Sequence, residues 1–189
     1  MVSARLQALG AAIVDTDVIA HALTAPGGAA MPAIEEQFGP DFVTAEGALD
    51  RARMRAVVFA TPDARRRLEA ILHPMIRSAT EADARRAAGR APYVVLVIPL
   101  LVESGNWRTR VARVLVVDCS DATQIERVQR RSNLDERAVR DIVAQQATRQ
   151  QRLAAADDVV VNETDLQSLA TRVERLHHLY SRLAAARRH

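Results

Sequence analysis

The sequence predicts an α/β protein with a doubly wound parallel sheet covered by helices. Its apolar segments are continuous rather than alternating, which is typical of strands buried on both faces. These segments are residues 11–14, 93–98, 113–117 and 158–161. Helical patterns alternate with them, which favours a doubly wound sheet. Apolar residues make up 49% of the 189-residue chain, enough for a packed core.

The long interval between the first two predicted strands is expected to be helical. It contains no convincing strand and is too long for a simple crossover. Helical patterns cover residues 18–24, 29–38, 50–60 and 62–88. Turn and helix-start signals separate them at Pro26-Gly27-Gly28, Gly39-Pro40 and Thr61-Pro62. We interpret residues 18–92 as an α-helical insert that closes over the carboxyl ends of the strands.

Three further helices are predicted in the last third of the chain. The first covers residues 120–131, with Ser120 as its N-cap, and the second covers 135–155, beginning at Asp135. The third covers 164–184, where apolar residues recur at three- and four-residue spacing.

Composition limits the environment and the ligands of the protein. The chain contains no lysine, so all 26 residues in the Lys+Arg count are arginines, and the net charge is only +3. Guanidinium groups match phosphate oxygens in pairs, which favours small polyanions over nucleic acid. The single cysteine, Cys119, excludes an intrachain disulfide and is expected to pack. With no leader pattern and no apolar run long enough for a membrane, we expect a cytoplasmic protein.

Two carboxylates, Asp15 and Asp17, follow the first predicted strand. Open α/β sheets bind ligands at the carboxyl ends of their strands, and a hydroxyl that attacks phosphorus needs a carboxylate to accept its proton. Asp17 is therefore a candidate base or, alternatively, a helix N-cap. Asp15 binds a metal-coordinated water or caps the strand. The phosphate-binding loop expected beside such a site, Gly-x-x-x-x-Gly-Lys-Ser/Thr, is absent from the sequence.

Arginines cluster on the helix predicted after the third strand. Arg127, Arg130 and Arg131 are three and four residues apart, so they share one helix face and could converge on a triphosphate. The alternative is a basic face that contacts only solvent. Arg149 and Arg152 repeat the spacing on the next helical pattern, with a surface salt bridge as the alternative.

Several motifs, taken in order, resemble the dephospho-coenzyme A (dephospho-CoA) kinase family. They are Asp15-Thr16-Asp17-Val18-Ile19-Ala20-His21, Leu72-His73-Pro74, Ile98-Pro99-Leu100-Leu101-Val102-Glu103, Arg113-Val114-Leu115-Val116-Val117-Asp118, and the segment from Gln146-Ala147-Thr148-Arg149 to Asn162. Each alone is weak, but the ordered set covers nearly the whole chain. The resemblance implies a P-loop kinase-like fold with a small lid. It also implies transfer of the ATP γ-phosphoryl group to the ribose 3′-hydroxyl of dephospho-CoA, with Mg²⁺.

The resemblance also implies roles for individual residues. Asp17 would be the catalytic base, and Arg127 would stabilise the transferred phosphoryl group. The nucleotide-binding residues would be Arg130, Arg131, Arg149, Arg152 and Asn162. The substrate-binding residues would be Asp15, His73, Arg77 and Glu103. His73 has a packing or capping role as its alternative, Glu103 a helix-start carboxylate and Asn162 a turn residue. We expect no metal site formed by protein side chains, including the histidines near the carboxyl terminus.

The implied organisation has a nucleotide-kinase core and an acceptor-binding insert. The core would comprise residues 1–17 and 93–189, with a lid at about 127–140, and the insert would be residues 18–92. The family's central first strand and P-loop would lie immediately before Met1, and residues 2–9 would be the helix after that loop. We therefore expect the chain alone to be inactive, and to be either insoluble or compact without a cooperative melt.

Two other functions remain open from the sequence. One is phosphorylation of another nucleoside or nucleotide by a kinase of the same fold, although a long insert suits a bulkier acceptor. The other is a non-catalytic CoA-binding remnant, which the absence of lysine favours. We expect a monomer or weak oligomer that binds neither nucleic acid nor membranes.

Overall fold

The computed structural model describes residues 1–104, 107–132, 135–163 and 165–187. The chain divides into two compact units. The central unit is Ala12–Ile98, and the terminal unit combines Met1–Ala11 with Pro99–His189. The first two strands thus belong with the helical interval between them. The functional division at residues 17 and 93 stays a prediction.

Strands and helices occur in the order that the sequence predicts. The strands are β1 Ala12–Asp15, β2 Val94–Val97, β3 Leu115–Asp118 and β4 Asp158–Val161. The helices are α1 Val2–Ala8, α2 Thr16–Leu23, α3 Met31–Phe38, α4 Arg51–Ala60, α5 Pro62–Ala88, α6 Leu101–Ser104, α7 Asp121–Ser132, α8 Glu136–Ala144, α9 Arg149–Ala155 and α10 Leu166–Ala186. All four predicted strands are confirmed, with small shifts at their ends, and short 3₁₀ helices occupy Pro40–Phe42 and Arg108–Arg110.

The prediction of one helix over residues 135–155 is wrong. Helix α8 ends at Ala144, and α9 begins at Arg149 after the N-cap Thr148. The Thr148 hydroxyl accepts a hydrogen bond from the Gln151 backbone N–H, and the Gln151 side chain accepts one from the Thr148 N–H. This reciprocal capping box starts a new helix, because it satisfies N–H groups that a continuous helix would bond internally.

The strands form two parallel pairs. In the central unit, β1 pairs with β2, with Ala12 opposite Val94 and Asp15 opposite Val97. In the terminal unit, β3 pairs with β4, with Leu115 opposite Asp158. Among the described residues no ladder joins one pair to the other. Parallel strands in two small sheets, flanked by helices, are consistent with a P-loop kinase-like α/β fold.

The core of the central unit is a helical apolar cluster. Ala30, Met31 and Ile34 of α3 form it with Leu49 and Met54, and both Ala30 and Ile34 are completely buried. Helix α5 packs against this cluster through partly buried side chains, Leu68, Ile71, Leu72 and Met75. The predicted insert is therefore a packed helical layer that holds α5 beside the strands, and α5 contacts both β1 and β2.

The terminal unit buries one face of its strand pair more completely than the other. Val160 of β4 is buried together with Leu169 and Val173 of α10. Val159 and Val161, which alternate with Val160 along the strand, remain 44% and 38% exposed. The expectation of burial on both faces is wrong here, because α10, which contacts β4, buries Val160 and leaves Val159 and Val161 partly exposed.

None of the helices in the described parts of the chain is both long enough and apolar enough to cross a membrane.

Candidate functional site

Asp15 and Asp17 have different environments at the carboxyl end of β1. Asp15 is the N-cap of α2, and its Oδ1 accepts a hydrogen bond from the Asp17 backbone N–H at 2.8 Å. The N-cap alternative for Asp17 is therefore wrong. The Asp17 side chain lies in the first turn of α2 and is exposed. Among the residues described, no hydrogen bond or ion pair engages the Asp17 carboxylate, so it is available to accept a proton.

Thr16, between these two carboxylates, fixes the strand end. Its buried hydroxyl donates a hydrogen bond to the backbone carbonyl of Val97, the last residue of β2, at 3.0 Å. This bond holds the start of α2 against the neighbouring strand, so the exposed Asp17 is carried on a fixed backbone. Sequence reasoning did not assign Thr16 a role, although its position between two candidate site residues indicated that it lies at the same strand end.

The predicted acceptor residues on α5 lie on one exposed stretch of that helix. His73 and Arg77 are exposed and four residues apart, which places them on the same helix face. The packing and capping alternatives for His73 are wrong, because the residue is exposed and lies in the middle of a 27-residue helix. Within the described residues, neither side chain forms a hydrogen bond or an ion pair.

In the terminal unit, Asp118 and Arg149 form a two-pronged ion pair. Asp118, the last residue of β3, is 5% exposed, and its carboxylate accepts hydrogen bonds from Arg149 Nε at 2.9 Å and Nη2 at 2.6 Å. The hydrogen bond from Arg149 holds the pKa of the Asp118 carboxyl below its ordinary value. The sequence placed Arg149 in the site but gave no role to Asp118.

Two further predicted site residues shape the loop before α9. Glu103 accepts a hydrogen bond from the Ala147 N–H at 2.7 Å, and Arg152 Nη1 donates one to the Ala147 carbonyl at 2.6 Å. Charged side chains thus bond both the N–H and the carbonyl of Ala147. Glu103 also lies in the first turn of the short helix α6, as its structural alternative predicted.

The end of β4 is tied to the start of α7 through a carboxylate that sequence reasoning missed. Glu163 accepts hydrogen bonds from the Ser120 backbone N–H, from the Ser120 hydroxyl and, at 2.8 Å, from the Thr123 hydroxyl. The bond from Thr123 lowers the pKa of Glu163 most. Ser120 also caps α7 as predicted, since its hydroxyl accepts a bond from the Thr123 N–H.

The three arginines of α7 have unequal surroundings. Arg127 Nη1 donates to the backbone carbonyl of Asn162 at 2.7 Å, so these two predicted site residues are in direct contact. Arg130 pairs with Glu126 one turn earlier, and both side chains are largely exposed. Arg131 is exposed and, in the described parts of the chain, makes no side-chain hydrogen bond or ion pair. Residues 133 and 134 of the predicted lid lie outside the described residues.

Other metal-binding or nucleophilic candidates receive little support. No group of three His, Cys, Asp or Glu side chains that could hold a metal ion occurs in the residues the structure covers. His177 and His178 contact each other edge to face on α10, and His189 lies outside the described residues. Cys119 is partly buried, and this burial raises the pKa of its thiol. A protonated thiol is a poor nucleophile.

The fold and its polar strand ends define the class of P-loop kinase-like α/β proteins. A crystal structure of a Thermus thermophilus protein matches with a TM-score of 0.76 and 28% identity, covering 93% of this chain and 87% of that one. The Campylobacter jejuni dephospho-CoA kinase matches in fold with a TM-score of 0.69 and 21% identity, covering 96% of this chain and 92% of that one.

Sequence comparisons identify the family within this class. A family model described as dephospho-CoA kinase matches residues 1–168. A Burkholderia lata dephospho-CoA kinase is 58% identical over 96% of this chain and 89% of its own length. A Bordetella pertussis dephospho-CoA kinase is 58% identical over 94% of this chain and 83% of its own length. The chain belongs to the dephospho-CoA kinase family, whose members are kinases that use ATP as co-substrate.

Proposed function

We propose that this chain carries the machinery for ATP-dependent phosphorylation of the ribose 3′-hydroxyl of dephospho-CoA, which gives coenzyme A and completes its biosynthesis. Family membership supports the acceptor and the donor. The structural observation that carries the proposal is the Asp17 carboxylate, which is exposed at the carboxyl end of β1 on a backbone fixed by Thr16.

Asp17 is the base of the proposed reaction. It orients the 3′-hydroxyl and takes its proton as the hydroxyl oxygen bonds to the γ-phosphorus and the bond to the β-phosphate oxygen breaks. Arg127 and the other two arginines of α7, Arg130 and Arg131, stabilise the charge that develops on the phosphoryl oxygens. Asp15, His73, Arg77 and Glu103 are proposed to hold dephospho-CoA. Arg130, Arg131, Arg149, Arg152 and Asn162 are proposed to hold ATP.

The carboxylates at the end of β1 fit the chemistry of Mg²⁺. This ion is commonly held by one or two carboxylates together with waters and substrate phosphates. Asp15 uses Oδ1 to cap α2, which leaves its other oxygen able to hold a water of the hydrated ion. When bound, Mg²⁺ neutralises charge on the β- and γ-phosphates.

We infer that the 189 residues do not catalyse this reaction by themselves. Their sequence has no Gly-x-x-x-x-Gly-Lys-Ser/Thr loop and no lysine, so it lacks the backbone cradle, the lysine and the hydroxyl that this loop supplies. An extended chain, in which a strand and such a loop precede the same residues, is the form expected to turn over.

The experiment compares acceptors for the extended chain. We expect ATP and dephospho-CoA to give coenzyme A, identified by its mass and by a 3′-phosphomonoester signal in phosphorus NMR. Adenosine and other nucleosides are the control acceptors. Faster phosphorylation of a nucleoside would replace the proposal with a nucleoside kinase. Binding of dephospho-CoA without ATP binding would instead identify a non-catalytic remnant.

A further inference from the structure

We propose that Asp118 is a positioning residue that holds the Arg149 guanidinium in place for the phosphates of ATP. This inference rests on the proposed function, since it takes ATP as the ligand of the terminal unit. Asp118 itself does not contact the nucleotide in this proposal and acts only through Arg149.

In the Asp118–Arg149 pair, one edge of the guanidinium is hydrogen-bonded to the carboxylate and the other edge can still bind a ligand. Its Nε and Nη2 donate to the two oxygens of Asp118 in the parallel, two-pronged arrangement that fixes a guanidinium in both position and orientation. The guanidinium has further N–H donors, including both on Nη1, and none of these has a partner among the described residues. The Asp118 side chain is 5% exposed and the Arg149 side chain 48% exposed, so the anchor is buried and the remaining donors can reach a ligand.

Asp118 lies at a paired strand end that also positions Arg127. The backbone carbonyl of Asp118 accepts a hydrogen bond from the Asn162 N–H at 2.8 Å, which continues the pairing of β3 with β4. The Asn162 carbonyl in turn accepts the bond from Arg127 Nη1. Arg149 and Arg127 are therefore both hydrogen-bonded to the carboxyl ends of β3 and β4. The pairing of these two strands fixes the position of one arginine relative to the other.

Burial makes the Asp118–Arg149 pair persistent in a way that the exposed pairs are not. Release of Arg149 would remove two hydrogen bonds from a carboxylate that is 5% exposed, so Asp118 keeps Arg149 when a phosphate arrives. The Arg130–Glu126 pair is 78% and 60% exposed, and a pair of that kind exchanges readily with solvent or ligand. The orientation of Arg149 is thus set before ATP binds.

The terminal unit contains a matched control for this pair. Arg113 binds Asp158 in the same two-pronged way, Nε to Oδ2 at 2.7 Å and Nη2 to Oδ1 at 3.1 Å. Asp158 is the first residue of β4, whereas Asp118 is the last residue of β3. The two pairs therefore share their chemistry but lie at opposite ends of the strand pair, and only the carboxyl end is expected to bind ligand.

The test measures KM for both substrates in the extended chain and its variants. We expect Asp118→Asn and Arg149→Lys each to raise KM for ATP about tenfold, as loss of a charge-assisted hydrogen bond to phosphate does, with KM for dephospho-CoA nearly unchanged. The double variant should be no worse than the poorer single one, because both substitutions disable the same contact. Asp158→Asn should lower the melting temperature and leave KM for ATP unchanged.

Calorimetric titration with ATP separates this proposal from the proposed function. If the extended chain makes no coenzyme A, the proposed function fails, while a weaker ATP affinity of Asp118→Asn still supports positioning. Equal ATP affinity in the parent and Asp118→Asn, additive effects in the double variant, or no ATP binding would overturn the positioning role. If Asp118→Asn does not fold, Asp118→Glu decides the question, because it keeps a carboxylate beside Arg149 but moves that carboxylate by one methylene group. Unchanged ATP affinity in Asp118→Glu would then overturn the positioning role.

Discussion

The two units of the chain present their candidate functional residues in opposite ways. In the central unit, Asp17, His73 and Arg77 are exposed and, among the described residues, unpaired. In the terminal unit, Arg149 and Arg127 already contact protein groups at the strand ends. The difference indicates that protein groups already orient Arg149 and Arg127, whereas Asp17, His73 and Arg77 have no such partner among the described residues.

Exposed ion pairs within one helix occur in both units, and two pairs of the terminal unit differ from them. Pairs in the central unit, such as Arg66–Asp63 and Arg86–Asp83, join neighbouring turns of one helix and are exposed. The terminal unit has pairs between residues distant in sequence, including Arg149–Asp118 and Arg113–Asp158, in which the carboxylate is 5% and 13% exposed. Exposed local pairs contribute little to stability, so the two groups should respond differently to substitution.

The largest effect is expected from the phosphate-binding loop. We expect coenzyme A formation by the 189-residue chain to stay at background, because phosphoryl transfer depends on positioning and charge stabilisation that this loop provides. The extended chain should be active, and a loop with its lysine replaced by alanine is the matched control. A radiometric assay with labelled ATP measures both. Robust turnover by the 189 residues alone would refute the inference.

The next largest effect is expected at the base. In the extended chain, Asp17→Asn keeps the shape of the side chain but cannot accept a proton, so kcat should fall on the order of a hundredfold or more with dephospho-CoA binding little changed. Asp15→Asn should reduce kcat less, since an amide oxygen can still cap α2. Steady-state kinetics of the two variants gives the comparison. A larger loss in Asp15→Asn would mean that the base is Asp15.

A smaller effect on stability should separate the two kinds of ion pair. Arg113→Gln removes one partner of a carboxylate that is 13% exposed, and we expect a clear fall in the free energy of unfolding of the extended chain. Arg86→Gln removes an exposed pair within one helix and should change it by less than about 0.5 kcal/mol. Urea titrations measure both values. Equal losses would show that the Arg113–Asp158 pair contributes no more to stability than the exposed Arg86–Asp83 pair.

The smallest effect is expected in the dependence of stability on pH. Hydrogen bonds from Arg149 and Arg113 hold the pKa values of Asp118 and Asp158 below their ordinary values. Their stabilising contribution is therefore fully present above the ordinary aspartate pKa of about 4 and is lost as the pH falls through the lower folded-state values. Urea titrations below pH 4 should show stability falling with pH, and Asp118→Asn should flatten this dependence. An unchanged slope in that variant would contradict the assignment.

Sequence reasoning succeeded where the signal is local. Continuous apolar runs located all four strands, and Ser120 and Asp135 are helix N-caps as predicted. The break between α8 and α9 was also local, in the Thr148-x-x-Gln151 capping box, and was overlooked because the helical periodicity continues across it. Here a cap overrides periodicity, since it satisfies backbone donors at a specific position.

Partners brought together by the fold could not be predicted. Glu163 meets Ser120 and Asp118 meets Arg149 across 43 and 31 residues of sequence, and no spacing rule relates such positions. The sequence therefore named the arginines of the terminal unit but not the carboxylates that orient them. The roles of Asp17, His73 and Arg77 in the central unit stay predictions, and their exposure is consistent with them.

The division between acceptor and nucleotide sides is tested most directly by two matched arginine substitutions in the extended chain. Arg77 in the central unit and Arg131 in the terminal unit are both exposed helical arginines without a side-chain hydrogen bond or ion pair among the described residues. We expect Arg77→Ala to raise KM for dephospho-CoA several-fold and leave KM for ATP unchanged, and Arg131→Ala to do the reverse. If either substitution raised KM for the other substrate instead, the proposed assignment of the two units would be wrong.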